Sequence, residues 1–246
     1  NGNVGLHHTT RNALAIAGVT AVIKDLLDSG LIDHAVIDAM GAGVAVSAQA
    51  PDTIALDDAT GPQLNLFLHQ VTPNAALRNA ALPSRDAAGN RIANPPLALD
   101  LHYLLTAYGR AELQAEVLLG YALQLLHETP VLPRAAIRRA LHPTIVDGTA
   151  LPAIYQSLRA ADLAEQIEML KITPSALSTE EMSRLWSALQ AHYRPTVAFQ
   201  VSVVLIESTR PARSPLPVLS RGETDPVSKR ERGVLAFSGL TPPLPT

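Results

Sequence analysis

The sequence predicts an α/β fold, more closely an α+β domain in which helices flank a mixed β-sheet. Two kinds of pattern lead to this prediction. Residues 97–105 and 196–207 alternate with a period of two, which is typical of strands. Residues 11–29 and 111–126 repeat apolar side chains at helical spacing instead. Because helical and strand patterns follow one another along the chain, we expect the helices to cover one face of the sheet.

The first helix is predicted over residues 11–29. Thr10 is placed to be its N-cap, and Gly30 is a suitable residue just after its C-terminus. A short glycine-led strand is then expected over residues 41–47. The polar segment 48–62 carries aspartates, glycine and proline and is predicted to be a loop.

Four further strands complete the predicted sheet. They cover residues 63–71, 97–105, 165–173 and 196–207. Leu97, Leu99, Leu101, Tyr103 and Leu105 alternate with Ala98, Asp100, His102 and Leu104. This alternation predicts one buried and one polar face for the strand over 97–105.

The last predicted strand, over residues 196–207, carries apolar side chains on both faces near its end. From the residues alone, two interpretations remain open for it. It is either a central strand buried on both sides, or an edge strand that pairs with a strand of a partner.

Helices are predicted between these strands. They cover residues 111–126 and 134–141, the second beginning directly after Pro133. Ser178 and Glu181 have the spacing of a capping box, which predicts a helix from there to about residue 191. Pro195 is expected to separate that helix from the last strand.

The composition divides the chain into a domain over residues 1–208 and an extended proline-rich tail over residues 209–246. The tail contains seven prolines, at positions 211, 215, 217, 226, 242, 243 and 245. Such a segment cannot bury enough apolar surface to fold by itself. We therefore expect it to lie on its own domain, on a neighbouring copy or on another protein.

Composition also limits the function. The absence of cysteine excludes disulfides and thiolate zinc sites. A net charge of −3 and 4% aromatic residues argue against a nucleic-acid binder. No apolar run is long enough to span a bilayer, so direct membrane insertion is not expected. No metal or cofactor motif is present, and we predict none.

Asp100 and His102 are the strongest candidates for catalysis. They alternate on one predicted strand, so their side chains share a face. This arrangement is compatible with a small hydrolase or ligand-binding α/β domain. It is far more typical of the polar outer face of a half-buried strand.

Three long segments resemble one bacterial family. They are Leu64–Asn79, Pro95–Gly109 and Leu119–Pro130. Shorter segments continue the resemblance in the same order at Lys171–Pro174, Leu177–Trp186 and His192–Thr196. The family is the tail terminator, or cap, protein of phage-tail-like extracellular contractile injection systems. The resemblance spans roughly residues 10–208.

The resemblance implies a structural protein and not an enzyme. The family's cap forms a homohexameric ring on the distal end of the particle, where it contacts the inner-tube and sheath proteins. It stops their polymerisation and closes the particle. Assembly is then expected in the bacterial cytoplasm, at the end of a particle that is later released or retained.

Ten residues are interface candidates on this interpretation. Pro73, Asn74, Arg78 and Asn79 lie at and after a predicted turn. His102, Tyr103 and Tyr108 are polar-tipped residues of the second resembling segment. Val203, Leu205 and Ile206 lie on the strand that we expect to receive an extended arm of the sheath by strand addition.

Overall fold

A computed structural model describes residues 14–33, 36, 40, 43–54, 61–77, 94–142, 153–158, 163–166 and 168–207. The helices in these ranges are α1 (Ala15–Asp33), α2 (Gln114–Glu128), α3 (Arg134–Leu141), α4 (Ala153–Leu158) and α5 (Thr179–Ala188). The strands are β1 (Ala45–Ser47), β2 (Gln63–Pro73), β3 (Leu97–Tyr108), β4 (Lys171–Ser175) and β5 (Thr196–Ile206). Thr10, Arg78, Asn79 and the proline-rich tail lie outside the described residues.

The described strands form one sheet in the order β1-β2-β3-β5-β4. β1 pairs with β2 in parallel, and the other neighbours pair antiparallel. The predicted mixed sheet is therefore confirmed. β3 lies at its centre and is paired along its length by β2 and β5.

α1 and α2 pack on one face of this sheet. α1 contacts β1, β2 and β5, and α2 contacts β2 and β3. The core between the two layers contains Ile23, Leu27, Leu66, Tyr103 and Leu118, each exposed by 1% or less. Burial of such side chains contributes about 1.5–3 kcal/mol each and accounts for the position of the helices.

The prediction of a single buried face is wrong for β3. Leu104 and Thr106 point to the face opposite the helices and are nevertheless fully buried, at 0% exposure. Phe67 of β2 and Ala198 of β5 are the cross-strand neighbours of Leu104. The sequence pattern was never strictly amphipathic, because Ala98 and Leu104 are apolar residues within the face interpreted as polar.

Gly30 does not follow the first helix but lies inside α1, which continues to Asp33. A Cβ atom at Gly30 would clash with Cδ2 of Leu125 on α2. The glycine therefore permits close approach of the two helices, and its helix-ending tendency is overridden by this contact.

The predicted strand over 165–173 is displaced towards the C-terminus. The strand that forms is β4, over Lys171–Ser175, whereas residues 163–166 form a turn. Hydrogen bonds from Arg134 to the carbonyls of Ala164 and Gln166 hold that turn against α3 and prevent it from extending the strand.

The capping box is confirmed at the start of α5. Glu181 N donates to Ser178 Oγ at 3.2 Å, and Ser178 N donates to Glu181 Oε2 at 2.8 Å. The hydrogen bonds that the Glu181 carboxylate accepts from Ser178 N and Ser178 Oγ lower its pKa. The helix ends at Ala188, earlier than predicted, and Gln190 follows with a left-handed φ of 52°.

Candidate interface

The turn after β2 is the first predicted contact region. Pro73 is exposed and Asn74 is half-buried. Asn74 N donates to Ala98 O at 2.9 Å, Asn74 Nδ2 donates to Asp100 Oδ1 at 2.8 Å, and its Oδ1 accepts from Leu77 N at 2.9 Å. Asn74 thus fixes the turn from inside, and Pro73 is the better placed of the two to meet another protein.

Asp100 and His102 have separate partners. The carboxyl group of Asp100 accepts from Asn74, whereas Nε2 of His102 forms a hydrogen bond with Thr72 Oγ1 at 2.8 Å. Neither residue lines the cleft beside α5 that Trp186 and Tyr193 border, or the small cavity between α1 and α2. Each side chain is thus bonded to its own partner, and this geometry does not favour the hydrolase alternative.

His102 also faces His69, at a centroid separation of 6.2 Å. His69 lies at a bulge in β2, because Leu68 pairs with Tyr103 and Gln70 pairs with the adjacent His102. Burial lowers the pKa of His69, and the nearby His102 lowers it further. The bulge is what brings the two imidazoles to the same part of the sheet.

Tyr103 and Tyr108 are not surface contacts, so the sequence prediction is wrong for both. Tyr103 is 0% exposed, stacks on Phe199 at 5.4 Å and hydrogen-bonds through its hydroxyl with Thr20 Oγ1 at 2.8 Å. Tyr108 is 4% exposed. Tyr103 is paired on both sides, by Leu68 of β2 and Phe199 of β5, whereas Tyr108 at the end of β3 pairs with Gln63 of β2. Both side chains are buried, so neither is available to a partner at the surface.

β5 is not an edge strand, which corrects its assignment as the pairing edge. Residues 196–201 pair with β3 on one side, and residues 198–202 pair with β4 on the other. Among the described strands, β1 and β4 are the edges of the sheet. Of the two interpretations left open by the sequence, the central strand is confirmed for this half of β5.

The two edge strands offer little to an incoming strand. β1 has only three residues. β4 is bridged at Lys171 by Val131, and Ile172 N donates to Pro130 O at 2.8 Å. Pro174 within β4 has no N–H to donate. Short strands and prolines are ordinary ways of preventing uncontrolled pairing between sheets.

The second half of β5 is different, because β4 reaches only as far as Ser202. Beyond it, the side chain of Gln166 takes the place of a neighbouring strand. Its Nε2 donates to Val203 O at 2.8 Å, and its Oε1 accepts from Leu205 N at 3.3 Å. Val203 and Ile206 are half-buried, and Leu205 is 8% exposed.

Gln166 is held in this position from α3. Arg134 donates from Nη1 to Ala164 O and from Nη2 to Gln166 O, each at 3.0 Å. Arg138 and Glu165 add an exposed ion pair at 2.7 Å. Sequence reasoning missed Gln166 because the residue fell within a predicted strand. No local motif distinguishes a glutamine that binds main-chain groups from one in solvent.

The side-chain carboxamide of Asn65, like that of Gln166, binds main-chain groups of a neighbouring segment, in this case the segment after β1. Asn65 is fully buried, its Nδ2 donates to Gln49 O and its Oδ1 accepts from Gln49 N, each at 3.0 Å. Ser47 Oγ donates to the same oxygen at 2.9 Å. The segment after β1 is thus fixed to β2 by a side chain.

Within the ranges that the structure describes, no three histidine, aspartate or glutamate side chains cluster in a way that could hold a metal ion. None of the helices in those ranges has both the length and the apolar character to cross a bilayer.

Comparison with known proteins decides the family. A family model described as the Pvc16 N-terminal domain matches residues 18–220, which is most of the chain. The chain belongs to this family. The resemblance found in the sequence is thereby confirmed, and the matched region includes all three of the long resembling segments.

Two solved structures are similar to this member of the family. One is the sheath/tube terminator of an extracellular contractile injection system, PVC, in its extended state, at 15% identity and a TM-score of 0.44. The match covers 84% of this chain and 64% of that one. The other is the tube-terminating cap of the anti-feeding prophage, at 18% identity, a TM-score of 0.45, and 74% and 55% coverage.

This chain therefore spans less than two thirds of the length of either structure. No curated protein matches it.

Proposed function

We propose that the chain is the tail terminator, or cap, of a contractile injection particle, in which it has a structural and not a catalytic role. Six copies form a ring on the distal end of the inner tube and sheath, stop their polymerisation and close the particle. Membership of the Pvc16 N-terminal domain family over residues 18–220 is the observation that carries this proposal.

The form of the sheet supports this role. A terminator has to join the last layer of a polymer without offering a new pairing edge to the next one. β1 is three residues long, and β4 contains Pro174 and is bridged by Val131. Both described edges are therefore poor templates for further strand pairing, as the end of a polymer requires.

A closed ring needs two different surfaces that meet head to tail. Pro73 and Val71 near the end of β2 are exposed. We assign this end of β2 to one ring or tube contact. Arg78 and Asn79 follow it in the sequence and stay predicted contacts, as does the half-buried His102.

The partners and the place of action follow from the same proposal. The cap binds inner-tube and sheath proteins after assembly in the bacterial cytoplasm, and it stays at the end of the particle wherever the particle goes. Neither nucleic acid nor membrane insertion is needed for this function. The proline-rich segment 209–246 is assigned to a neighbouring cap subunit or to the sheath.

Removal of the gene for this chain tests the proposal. We expect particles whose tubes vary widely in length and whose distal ends are open, as seen by negative-stain electron microscopy. Expression of the natural chain from a plasmid should restore a narrow length distribution and closed ends. Particles of normal length with closed ends in the deletion strain would contradict the proposal.

A further inference from the structure

We propose that the cleft beside α5 binds a proline-rich segment, residues 241–246, of a second copy of this chain. The rings of Trp186 and Tyr193 pack against its prolines, and the indole N–H of Trp186 donates to one of its main-chain carbonyls. The inference rests on the proposed function in one respect, because the second copy is the neighbour in the ring.

The cleft is formed by one face of α5 and by the segment that follows the helix. Thr179, Met182 and Trp186 are three and four residues apart, so they share a face of α5. Gln190 has a left-handed φ of 52°, and the chain turns there and brings Tyr193 back to this face. The result is a cleft of about 940 Å³, which is within the range of ligand-binding pockets.

Two aromatic rings give the cleft its character. Trp186 and Tyr193 meet edge to face, with ring centroids 5.7 Å apart and an interplanar angle of 68°. Trp186 is 3% exposed and forms the floor, whereas Tyr193 is 63% exposed. Grooves lined by aromatic rings are the usual binding sites of proline-rich segments in the polyproline II conformation.

The indole N–H of Trp186 supports the same kind of ligand. Nε1 is buried, and within the described part of the chain it has no hydrogen-bond partner. A buried donor without an acceptor is costly, so a ligand that accepts from it gains affinity. The carbonyls of a polyproline II segment have no internal partner. The exposed ring of Tyr193 can turn aside rapidly to admit one of them.

Charge indicates which proline-rich segment fits. Among the described residues that line the cleft, none is an aspartate, glutamate, lysine or arginine. Residues 241–246 have the sequence Thr-Pro-Pro-Leu-Pro-Thr and are likewise uncharged. The other Pro-Leu-Pro sequence of the chain, at residues 215–217, follows Arg213 closely. Residues 241–246 are therefore the better match.

A second copy is within reach of this segment. Residues 207–240 connect it to β5 and can extend over up to about 110 Å, at about 3.3 Å per residue. A domain of about 200 residues has a radius of gyration of only about 17 Å. A closed ring needs contacts between two different surfaces of neighbouring copies. A segment of one copy in the cleft of the next is such a contact.

Fluorescence reports directly on the cleft, because Trp186 is the only tryptophan in the sequence. The experiment uses the full chain with an alanine tail, which carries Pro242→Ala, Pro243→Ala and Pro245→Ala. A peptide of residues 239–246, acetylated and amidated, is titrated into this alanine-tail chain. We expect a saturable change in the emission of Trp186.

Two control peptides test the assignment of the segment. The same peptide with its three prolines replaced by alanine should not bind. A peptide of residues 213–218 should bind about tenfold more weakly, because it brings a charge to an uncharged cleft. Equal binding of either control peptide, or no saturable change with the natural one, would overturn the proposal.

Variants of the alanine-tail chain test the cleft itself. Tyr193→Ala should weaken binding of the natural peptide about tenfold, through loss of the ring contact. Tyr193→Phe keeps the ring and should bind like its parent. Leu123→Ala, at a side chain on α2 that is 42% exposed, is the matched control and should also leave affinity unchanged. Equal affinity in all three variants would overturn the assignment of the cleft.

Co-expression of two differently tagged chains tests whether a second copy supplies the segment. One is the alanine-tail chain, and the other carries Trp186→Phe with the natural tail and so has no tryptophan. We expect the purified mixed assembly to show the emission of the peptide-saturated alanine-tail chain. Trp186→Tyr is a second copy without tryptophan, for use where the phenylalanine variant does not fold.

A second copy as the source would be overturned by an emission that stays that of the alanine-tail chain alone, or by a failure of the two chains to copurify. Closed particles of normal length, built with a chain that shows neither peptide binding nor this contact between copies, would contradict the inference alone. A chain that gives both signals but leaves the particle ends open would contradict the cap function alone.

Discussion

Asn74 donates its side-chain amide to Oδ1 of Asp100 at 2.8 Å, and this contact ties the turn after β2 to the centre of the sheet. Asp100 is only 8% exposed. Removal of its partner therefore leaves a buried carboxyl group without this hydrogen bond.

We expect Asn74→Ala to lower the free energy of unfolding by about 2 kcal/mol, because both the Asp100 contact and the turn contact to Leu77 N are lost. Urea denaturation followed by circular dichroism measures the change. Gln70→Ala, at an exposed site on the same strand, should change stability by less than about 0.5 kcal/mol. Equal effects of the two variants would show that the turn is not fixed by Asn74.

The stability of the fold should fall in mild acid because of His69. Its pKa is lowered from 6.5 by burial and by the neighbouring His102. As the pH falls, His69 therefore takes up a proton in the unfolded chain before it does so in the folded chain. The contribution of the neutral imidazole to the free energy of unfolding is lost as the pH falls below about 6.5.

His69→Asn should make the loss of stability between pH 7.5 and 5.5 shallower, measured by urea denaturation at each pH. His102→Asn should raise the pKa of His69, read from its imidazole proton signals by NMR, because the electrostatic effect of His102 that lowers this pKa is removed. His192→Asn, at an exposed site, should do neither. An unchanged His69 pKa in His102→Asn would contradict the coupling of the two rings.

Tyr103 should make the fold sensitive to strong alkali. Burial raises the pKa of its phenol well above the ordinary 10.0. Because the neutral phenol is favoured in the folded chain, its contribution to the free energy of unfolding is complete below pH 10. This contribution is lost as the pH rises above 10. The expected slope is about 1.4 kcal/mol per pH unit for one such group.

Tyr103→Phe should reduce that slope by about this amount, and it should cost about 1 kcal/mol at pH 8 through loss of the contact to Thr20. Tyr193→Phe is the matched control, since Tyr193 is 63% exposed. The measurement is urea denaturation between pH 8 and 11. A slope that depends equally on both tyrosines would be inconsistent with the buried position of Tyr103.

The close approach of α1 and α2 at Gly30 predicts coupling between two positions. Gly30→Ala introduces a clash with Leu125, whereas Gly30→Ala combined with Leu125→Ala does not. A double-mutant cycle by thermal or urea unfolding should give an interaction energy of about 1 kcal/mol.

Gly120→Ala in α2 is the control for helix propensity. An added Cβ there meets nothing within 4 Å, so this variant should be stabilised by up to about 1 kcal/mol. A cycle energy near zero, with both glycine variants equally stabilised, would show that Leu125 moves aside freely.

Much of the fold could be predicted from local patterns. The period of two located β3 and β5, and the capping box at Ser178 located the start of α5. α3 was predicted with its observed bounds of Arg134–Leu141. These elements are determined by residues close in sequence, where propensity and capping act.

The wrong predictions concern features that depend on contacts between residues far apart in the sequence. Gly30 was expected to end α1, but it permits packing against Leu125, which is far away in the chain. Tyr103 has a polar tip that suggests a surface, and only the contact with Thr20 shows that the hydroxyl is satisfied inside. The periodicity of the sequence does not show that Leu125 packs against Gly30 or that Thr20 binds Tyr103.

The candidate interface was the least predictable part. Val203, Leu205 and Ile206 were placed on the right strand, but the order β3-β5-β4 puts the first half of that strand inside the sheet. Strand order depends on pairing over long sequence distances. The role of Gln166 depends in addition on Arg134, which positions its main chain from another helix.

The central claim is tested most directly by cryo-electron microscopy of the distal end of particles that contain this chain. We expect six copies in a closed ring, found at that end alone, with each copy burying well over 1,000 Å² against its neighbours, the lower bound for a stable interface. A chain distributed along the sheath, or one that stays a free monomer when mixed with tube and sheath proteins, would contradict the account.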